Sequence, residues 1–317
     1  MQRRHFLKKS AYLGMTMLLG NAYAKANIEP YHKNTPITQI INDPVFAQYG
    51  QLLFPVNSNY YSGNTLGNLD LTWYSHINAD KSVEIVNYLR NRAINGEQVF
   101  FDIYTLAEKK ADPTKNNTGL FFFKGKKGEK FAICNAGGGF AYVGAIHDSF
   151  PHALELSKKG YNAFALIYRP NVQTAMQDLA RSIAFIFENA EKLGVNTQNY
   201  SLWGGSAGAI MAAILGRYGT ATFGEKPYPK PSAVMMQYTG FSEFDAHYPP
   251  TYSNVGDNDY IANWKGMQRR ADEMRKLGID TEFQVYQGLG HGFGLGINTK
   301  AQGWINNAVR FWEKQKR

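Results

Sequence analysis

The chain predicts an α/β architecture, with a mostly parallel central sheet of about eight strands and helices on both faces. Three observations carry that reading. From residue 118 onward, short apolar runs alternate regularly with longer segments of helical period. Hydrophobic residues make up 44% of the 317 residues, which is ample for a buried core. No internal repeat and no low-complexity tract interrupts the pattern, and no run of about 18 apolar residues implies a membrane-spanning helix.

Taken in order, residues 25–80 are rich in Asn, Tyr, Ser, Thr and Pro with weak periodicity, which predicts an extended N-terminal segment with little regular structure. KSVEIVNYLRNRAI (81–94) has helical spacing. QVFFDIYTL (98–106) and TGLFFFKG (118–125) read as two strands joined by the turn-rich KKADPTKNN, and they form the antiparallel edge of the sheet. The alternation then becomes regular: strand 130–135, helix 149–159, strand 162–168, helix 173–193, strand 199–203, helix 207–217 and strand 233–238. Strand 251–255, helix 263–277, strand 281–286 and helix 301–315 complete it. No domain boundary is evident within 25–317, which predicts a single domain.

The formal net charge of +9 invites a nucleic-acid reading, but Arg3, Arg4, Lys8 and Lys9 supply four of those charges and leave five for the rest. The run KGKKGEK (124–130) has the composition of a solvated turn between two strands, so no nucleic-acid partner is expected. Cys134 is the single cysteine, which excludes an intramolecular disulfide; at the end of the strand run FAIC it reads as a small packing residue.

The chemistry concentrates in three Gly-rich turns. Gly204-Gly205-Ser206-Ala207-Gly208 lies between the apolar run YSLW (200–203) and the helix-like AIMAAILGRY (209–218). A serine on such a strand-turn-helix bend exposes its hydroxyl, while flanking glycines let neighbouring backbone approach, which makes Ser206 the candidate nucleophile. Upstream, FAICNAGGGF (131–140) is an apolar run opening into three glycines, a turn able to aim backbone N–H groups at a developing oxyanion. Downstream, VGDNDYI (255–261) and YQGLGHGFG (286–294) each follow a strand-like run with an acid or a histidine. Glycines at 288, 290, 292, 294 and 296 suit a loop that delivers the His291 imidazole to a nucleophile.

GGSAG, AGGGF, GDNDYI and GLGHGFG together resemble a secreted bacterial serine esterase of the α/β-hydrolase superfamily, over residues 118–317. The similarity is greatest to its acetyl esterase, acetylxylan esterase and feruloyl-esterase-like branch. The resemblance implies an α/β-hydrolase fold and a triad of Ser206, Asp259 and His291 working through an acyl-enzyme. The implied oxyanion hole comprises the amides of Ala207 and of Gly138 or Gly139. Asp259 is chosen because the family's acid directly precedes the residues that turn into the next helix, here Tyr260 and Ile261; Asp257 is the alternative. Where HGGG-type turns carry histidine, this chain has Ala136, which keeps the backbone donors and removes a side chain that braces the loop. No metal or organic cofactor is called for, and no His/Cys/Asp cluster has metal-ligand spacing. His147 and His152, near the oxyanion turn, are candidates to line the cleft; His32, His76 and His247 lack motif context.

QRRHFLKKS (2–10) resembles a twin-arginine export signal, followed by the mild apolar stretch AYLGMTMLLG (11–20) and an A-x-A-like site, Ala22-Tyr23-Ala24. Residues 1–24 are expected to be removed, placing the mature enzyme in the periplasm or beyond, with the twin-arginine translocase as a transient partner and no stable membrane anchoring. A basic helix on the inner membrane face, or an uncleaved anchor, is the competing reading.

For substrate, the segment TGFSEFDAHYPP (239–250) between two strands is short, which favours an open site for small or polymer-attached acyl esters over a lipid tunnel. Tyr60, Tyr61, Trp73 and Tyr74 offer aromatic faces for a sugar or aromatic acyl group, or for packing against the sheet. The expected reaction is hydrolysis of acetyl or other short acyl groups from carbohydrate-type esters, small-molecule or polysaccharide. The alternatives are a peptidase, amidase or lipase on the same machinery, or a non-catalytic binding protein.

Overall fold

The computed structural model describes residues 29–315, so the twin-arginine-like segment lies outside the described residues. The N-terminal segment carries α1 (Ile37–Ile41) and a 3-10 stretch (Pro44–Leu53), then β1 (Tyr61–Ser62) paired antiparallel with β2 (Asp70–Leu71). It is more ordered than its composition suggests because it is tied to α2 (Ala79–Ile94). Arg90 donates to Asp43 Oδ2 at 3.0 Å and to the Glu29 carbonyl at 2.8 Å, with its guanidinium 4.2 Å from the Tyr31 ring centroid. Asn78 caps α2 by accepting from the Lys81 amide at 2.8 Å.

The predicted strand 98–106 shortens to β3 (Phe100–Phe101), because Thr105 instead starts α3 (Leu106–Ala111). Its hydroxyl accepts from the Glu108 amide, and the Glu108 carboxylate accepts from the Thr105 amide at 2.7 Å, a reciprocal cap that outcompetes strand pairing. A 3-10 turn (Pro113–Asn117) leads into β4 (Gly119–Phe123), and β5 (Lys130–Asn135) follows. The helix expected at 149–159 is preceded by a separate turn, α4 (Ala145–Asp148), before α5 (Phe150–Lys158), which has a proline in its first turn. After β6 (Asn162–Ile167), the helix expected over 173–193 divides into α6 (Val172–Glu188) and α7 (Ala190–Leu193). Asn189 ends the first by donating from its side chain to the Phe185 carbonyl at 2.8 Å.

The remaining elements follow the sequence pattern closely. They are β7 (Asn196–Gly205), α8 (Ala207–Tyr218), β8 (Ala233–Gln237), β9 (Thr251–Gly256), α9 (Trp264–Lys276), β10 (Thr281–Tyr286) and α10 (Trp304–Lys314).

The main sheet has eight strands in the order β10-β9-β8-β7-β5-β6-β4-β3. Neighbours from β6 through β10 are parallel, while β4 pairs antiparallel with β6 and β3 with β4. The antiparallel edge is therefore where the two early apolar runs place it. Strands β4 (GLFFF), β6 (NAFALI) and β8 (AVMMQ) are buried along their whole length, which is why they read as largely apolar runs without alternation. Helix α10 closes one side by burying Trp304, Ile305, Phe311 and Trp312. All the loops that carry candidate chemistry leave the carboxyl ends of β5, β7, β9 and β10, on one rim of the sheet.

Candidate active site

Strand β7 ends at Gly205, and Ser206 takes φ 50° and ψ −117°, a conformation a non-glycine residue adopts only where its surroundings enforce it. The bend drives backbone against backbone. A Cβ on Gly204 would lie 2.2 Å from the Gly208 carbonyl carbon, and one on Gly208 would lie 2.0 Å from the Asn135 carbonyl oxygen. Both positions must lack a side chain for the strand, the turn and α8 to close up, and the result is a half-buried Ser206 among buried neighbours at the helix N-terminus.

The loop after β10 brings His291 to this serine, with Nε2 3.1 Å from Ser206 Oγ. On the other side of the ring, Nδ1 lies 2.8 Å from Asp259 Oδ2. The Asp259 carboxylate is fully buried and its second oxygen accepts from the Ile261 and Ala262 amides at 2.8 and 2.7 Å. Those two bonds fix the plane of the carboxylate and leave Oδ2 for the imidazole. Asp257 is exposed and accepts from the Gly288 amide at 2.6 Å, tying the histidine loop at its base rather than meeting the ring. The structure thus brings Asp259, and not Asp257, to His291.

The three-glycine turn after β5 lies directly against the serine, since a Cβ on Gly137 would stand 2.7 Å from Ser206 Cβ. The turn is braced from both ends. The Tyr168 hydroxyl donates to the Ala136 carbonyl at 2.9 Å, and the Gly137 amide donates to Asp148 Oδ2 at 2.7 Å. Ala136 is buried where a family histidine is expected, and these two bonds brace the loop in its place.

His147 and His152 are buried beneath the turn rather than lining an open cleft. His147 Nε2 lies 2.9 Å from the Gly292 carbonyl, and burial holds both imidazoles down to about 4. Burial raises the Cys134 thiol, consistent with a packing role. His32 and His247 keep to surface turns, where His32 Nδ1 accepts from the Asn34 amide.

The N-terminal segment reaches this rim. Ser75 donates from its amide to the Gly292 carbonyl at 3.2 Å and from its hydroxyl to the His291 carbonyl at 2.7 Å. The Tyr142 hydroxyl in turn donates to the Thr72 carbonyl. Of the four aromatic residues noted in the segment, Tyr60 stacks on Tyr142 at 4.8 Å and the Tyr74 hydroxyl donates to Asp148 at 2.9 Å, so both serve packing. Trp73 lies against Gly139 of the turn yet stays 41% exposed. Sequence reasoning passed over Asp148 and Tyr238, and read Tyr74 as an aromatic face rather than as a donor to Asp148. No motif marks them, and only the folded chain draws them together.

A family model described as BD-FAE, an esterase-type domain, matches residues 122–253. An acetyl ester-xyloside bifunctional hydrolase from Caldicellulosiruptor lactoaceticus superposes with a TM-score of 0.59 at 19% identity, covering 68% of this chain and 95% of that one. A thermophilic esterase from Thermogutta terrifontis, solved with propionate bound, gives 0.54 at 20% identity over 62% of this chain and 89% of its own. An α/β-hydrolase enzyme from a Medee basin deep-sea metagenome library gives 0.53 at 21% identity over 62% and 92%. No curated protein matches the chain. With its eight-stranded, mostly parallel sheet and the helices packed around it, the chain has the α/β-hydrolase fold, and the BD-FAE domain match lies across its centre.

Proposed function

We propose that this protein is a serine carboxylesterase that removes acetyl or other short acyl groups from carbohydrate-type esters. The observation that carries the reading is the unbroken hydrogen-bonded series from Ser206 Oγ through His291 to Asp259, set on a strained turn. The Ser206 hydroxyl donates to His291 Nε2, whose Nδ1–H donates to Asp259. As Oγ attacks the ester carbonyl, the imidazole takes its proton and the buried carboxylate stabilises the imidazolium. The tetrahedral oxyanion is held by the Ala207 amide at the start of α8 and by Gly138 or Gly139; the Gly137 amide is already committed to Asp148. His291 returns the proton to the departing alcohol, and water then releases the acyl group by the same steps in reverse.

The substrate class is supported by three features. Segment 239–250 is short and pinned, since the Arg270 guanidinium donates to the Glu243 carbonyl at 2.8 Å and lies 5.4 Å and 5.0 Å from the Phe241 and Tyr248 ring centroids. A short pinned segment leaves no tunnel wall for a long chain. Trp73 offers an exposed aromatic face beside the oxyanion turn, suited to a sugar ring. Among structural relatives, one is an acetyl ester-xyloside hydrolase and another holds propionate.

Rates on p-nitrophenyl acetate, butyrate, octanoate and laurate test the reading, with acetylated xylan as the polymeric substrate. A long acyl tunnel would gain about 0.8 kcal/mol, or roughly fourfold, for each methylene it buries. Here kcat/KM is expected to fall with chain length; a rise through octanoate would replace the short-acyl assignment with a lipase.

A further inference from the structure

We infer that Asp148 is a positioning residue that holds the oxyanion turn and the histidine loop in register, acting through a buried carboxylate shared by Gly137, Tyr74 and Tyr238. The inference rests on the serine esterase reading and adds a residue to it.

Asp148 ends α4 and is 1% exposed, with no cation at hydrogen-bond distance among the described residues. Instead it takes three donors. Oδ2 accepts from the Gly137 amide at 2.7 Å and the Tyr74 hydroxyl at 2.9 Å, and Oδ1 accepts from the Tyr238 hydroxyl. Each donor belongs to a different part of the rim. Gly137 opens the oxyanion turn. Tyr74 belongs to the N-terminal segment, whose next residue, Ser75, holds the His291 and Gly292 carbonyls. Tyr238 follows β8; its hydroxyl also accepts from the Gly294 amide at 3.3 Å, and its ring meets the His291 ring edge-on with centroids 5.1 Å apart.

The nucleophile turn completes the enclosure, since a Cβ on Gly205 would lie 2.5 Å from either carboxylate oxygen. Glycine at that position admits Asp148 directly beneath Ser206. A group this buried that accepts three bonds and donates none serves as an anchor for the donors. Burial pushes the carboxyl up to about 6, so the three donors are needed to hold it as an acceptor near neutrality. Moving Gly137 displaces the adjacent amides of Gly138 and Gly139, which face the developing oxyanion and do not bind the ground-state ester as strongly.

The test compares Asp148→Asn, Tyr74→Phe, their combination and Ser206→Ala, using p-nitrophenyl acetate and trifluoroacetophenone. The hydrate-forming ketone places an oxyanion in the same hole once Ser206 adds to it. Asp148→Asn puts an N–H₂ where an acceptor is required, and is expected to lower kcat by about 10²-fold, with KM within about twofold. Affinity for the ketone should weaken by the same factor. Tyr74→Phe should lower both by about threefold to tenfold, and should add nothing further on top of Asp148→Asn, because both act through one carboxylate. An unchanged kcat in Asp148→Asn, or a lowered kcat with undiminished ketone affinity, overturns the inference. Should Asp148→Asn fail to fold, Tyr74→Phe decides: parallel losses support the inference and an unchanged kcat overturns it. Activity surviving in Ser206→Ala would instead overturn the serine esterase reading, whereas a dead Ser206→Ala beside a fully active Asp148→Asn rejects the positioning role alone.

Discussion

The two aspartates of the loop after β9 are two residues apart, and their surroundings separate their roles. Asp259 is held by two amides against His291, while Asp257 faces solvent and ties Gly288. Asp259→Asn is therefore expected to lower kcat by on the order of 10⁴ by favouring the wrong imidazole tautomer. Asp257→Asn should stay within about tenfold, because it removes one hydrogen bond at the base of the loop. Steady-state kinetics on the two variants checks the ranking.

Ser206 and His291 were legible in the sequence because glycines mark the sharp turns that carry them; the choice between the acids was not. It depends on which carboxylate the loop's own amides grip, and spacing does not encode that. Asp148 was illegible for the same reason, since its three donors come from segments 74, 11 and 90 residues away.

The buried histidines make a further residue-level prediction. His147 and His152 are held down to about 4 against an ordinary 6.5, so they contribute stability that is present above 6.5 and is lost as pH falls toward 4. Asp148, raised from 3.8 to about 6, works in the opposite sense over pH 6 to 3.8. The histidines outweigh it, at on the order of 3 kcal/mol each against about 3 for the single carboxyl. Urea unfolding should show stability falling between pH 6.5 and 4, with a shallower fall in His147→Gln.

At the scale of elements, the periodic helices and the buried parallel strands were readable because their apolar runs are long and their ends carry glycines or caps. Misreadings fell where a local side-chain bond beat the longer pattern. Thr105 and Glu108 cut short the strand run at 98–106, and Asn189 broke the long helix by bonding back to Phe185.

One element junction carries an ion pair that the sequence pattern did not announce. Just beyond β6, Arg169 donates to Asp178 of α6, with Nη2 2.7 Å from Oδ1, and the Tyr104 hydroxyl donates to the same oxygen at 2.7 Å. The Asp178 side chain is wholly buried. Asp178→Ala removes the buried partner of the Arg169 guanidinium, leaving only the more exposed Asp112, and is expected to cost about 3 kcal/mol of stability, read as a lower urea midpoint. Asp112, on the Arg169 Nη1 side at 2.8 Å, is more exposed, and Asp112→Ala should lower the midpoint less.

For the whole molecule, the segment that resembles an export signal, residues 1–24, lies outside the described residues, which begin at residue 29. If that resemblance describes its use, replacing Arg3 and Arg4 by lysine should strand the precursor in the cytoplasm, and the mature chain should begin at Lys25. Cell fractionation and N-terminal sequencing check both, and unimpaired export of the double-lysine protein rejects that route.

The bond from Ser75 to the His291 carbonyl joins residues 216 positions apart. A ribosome delivers the first of these long before the second, so the early segment has nothing to grip until synthesis is nearly complete. Loop closure over such a span is entropically unfavourable and is compensated only when the sheet between the two ends is already assembled. The Ser206–His291–Asp259 arrangement is thus among the last parts of the molecule to mature, and an incomplete chain lacks it during biosynthesis. The same stitch ties the mobility of the histidine loop to the integrity of the amino-terminal end, so that a proteolytic nick ahead of residue 75 reaches the reaction centre without touching any residue that performs the chemistry.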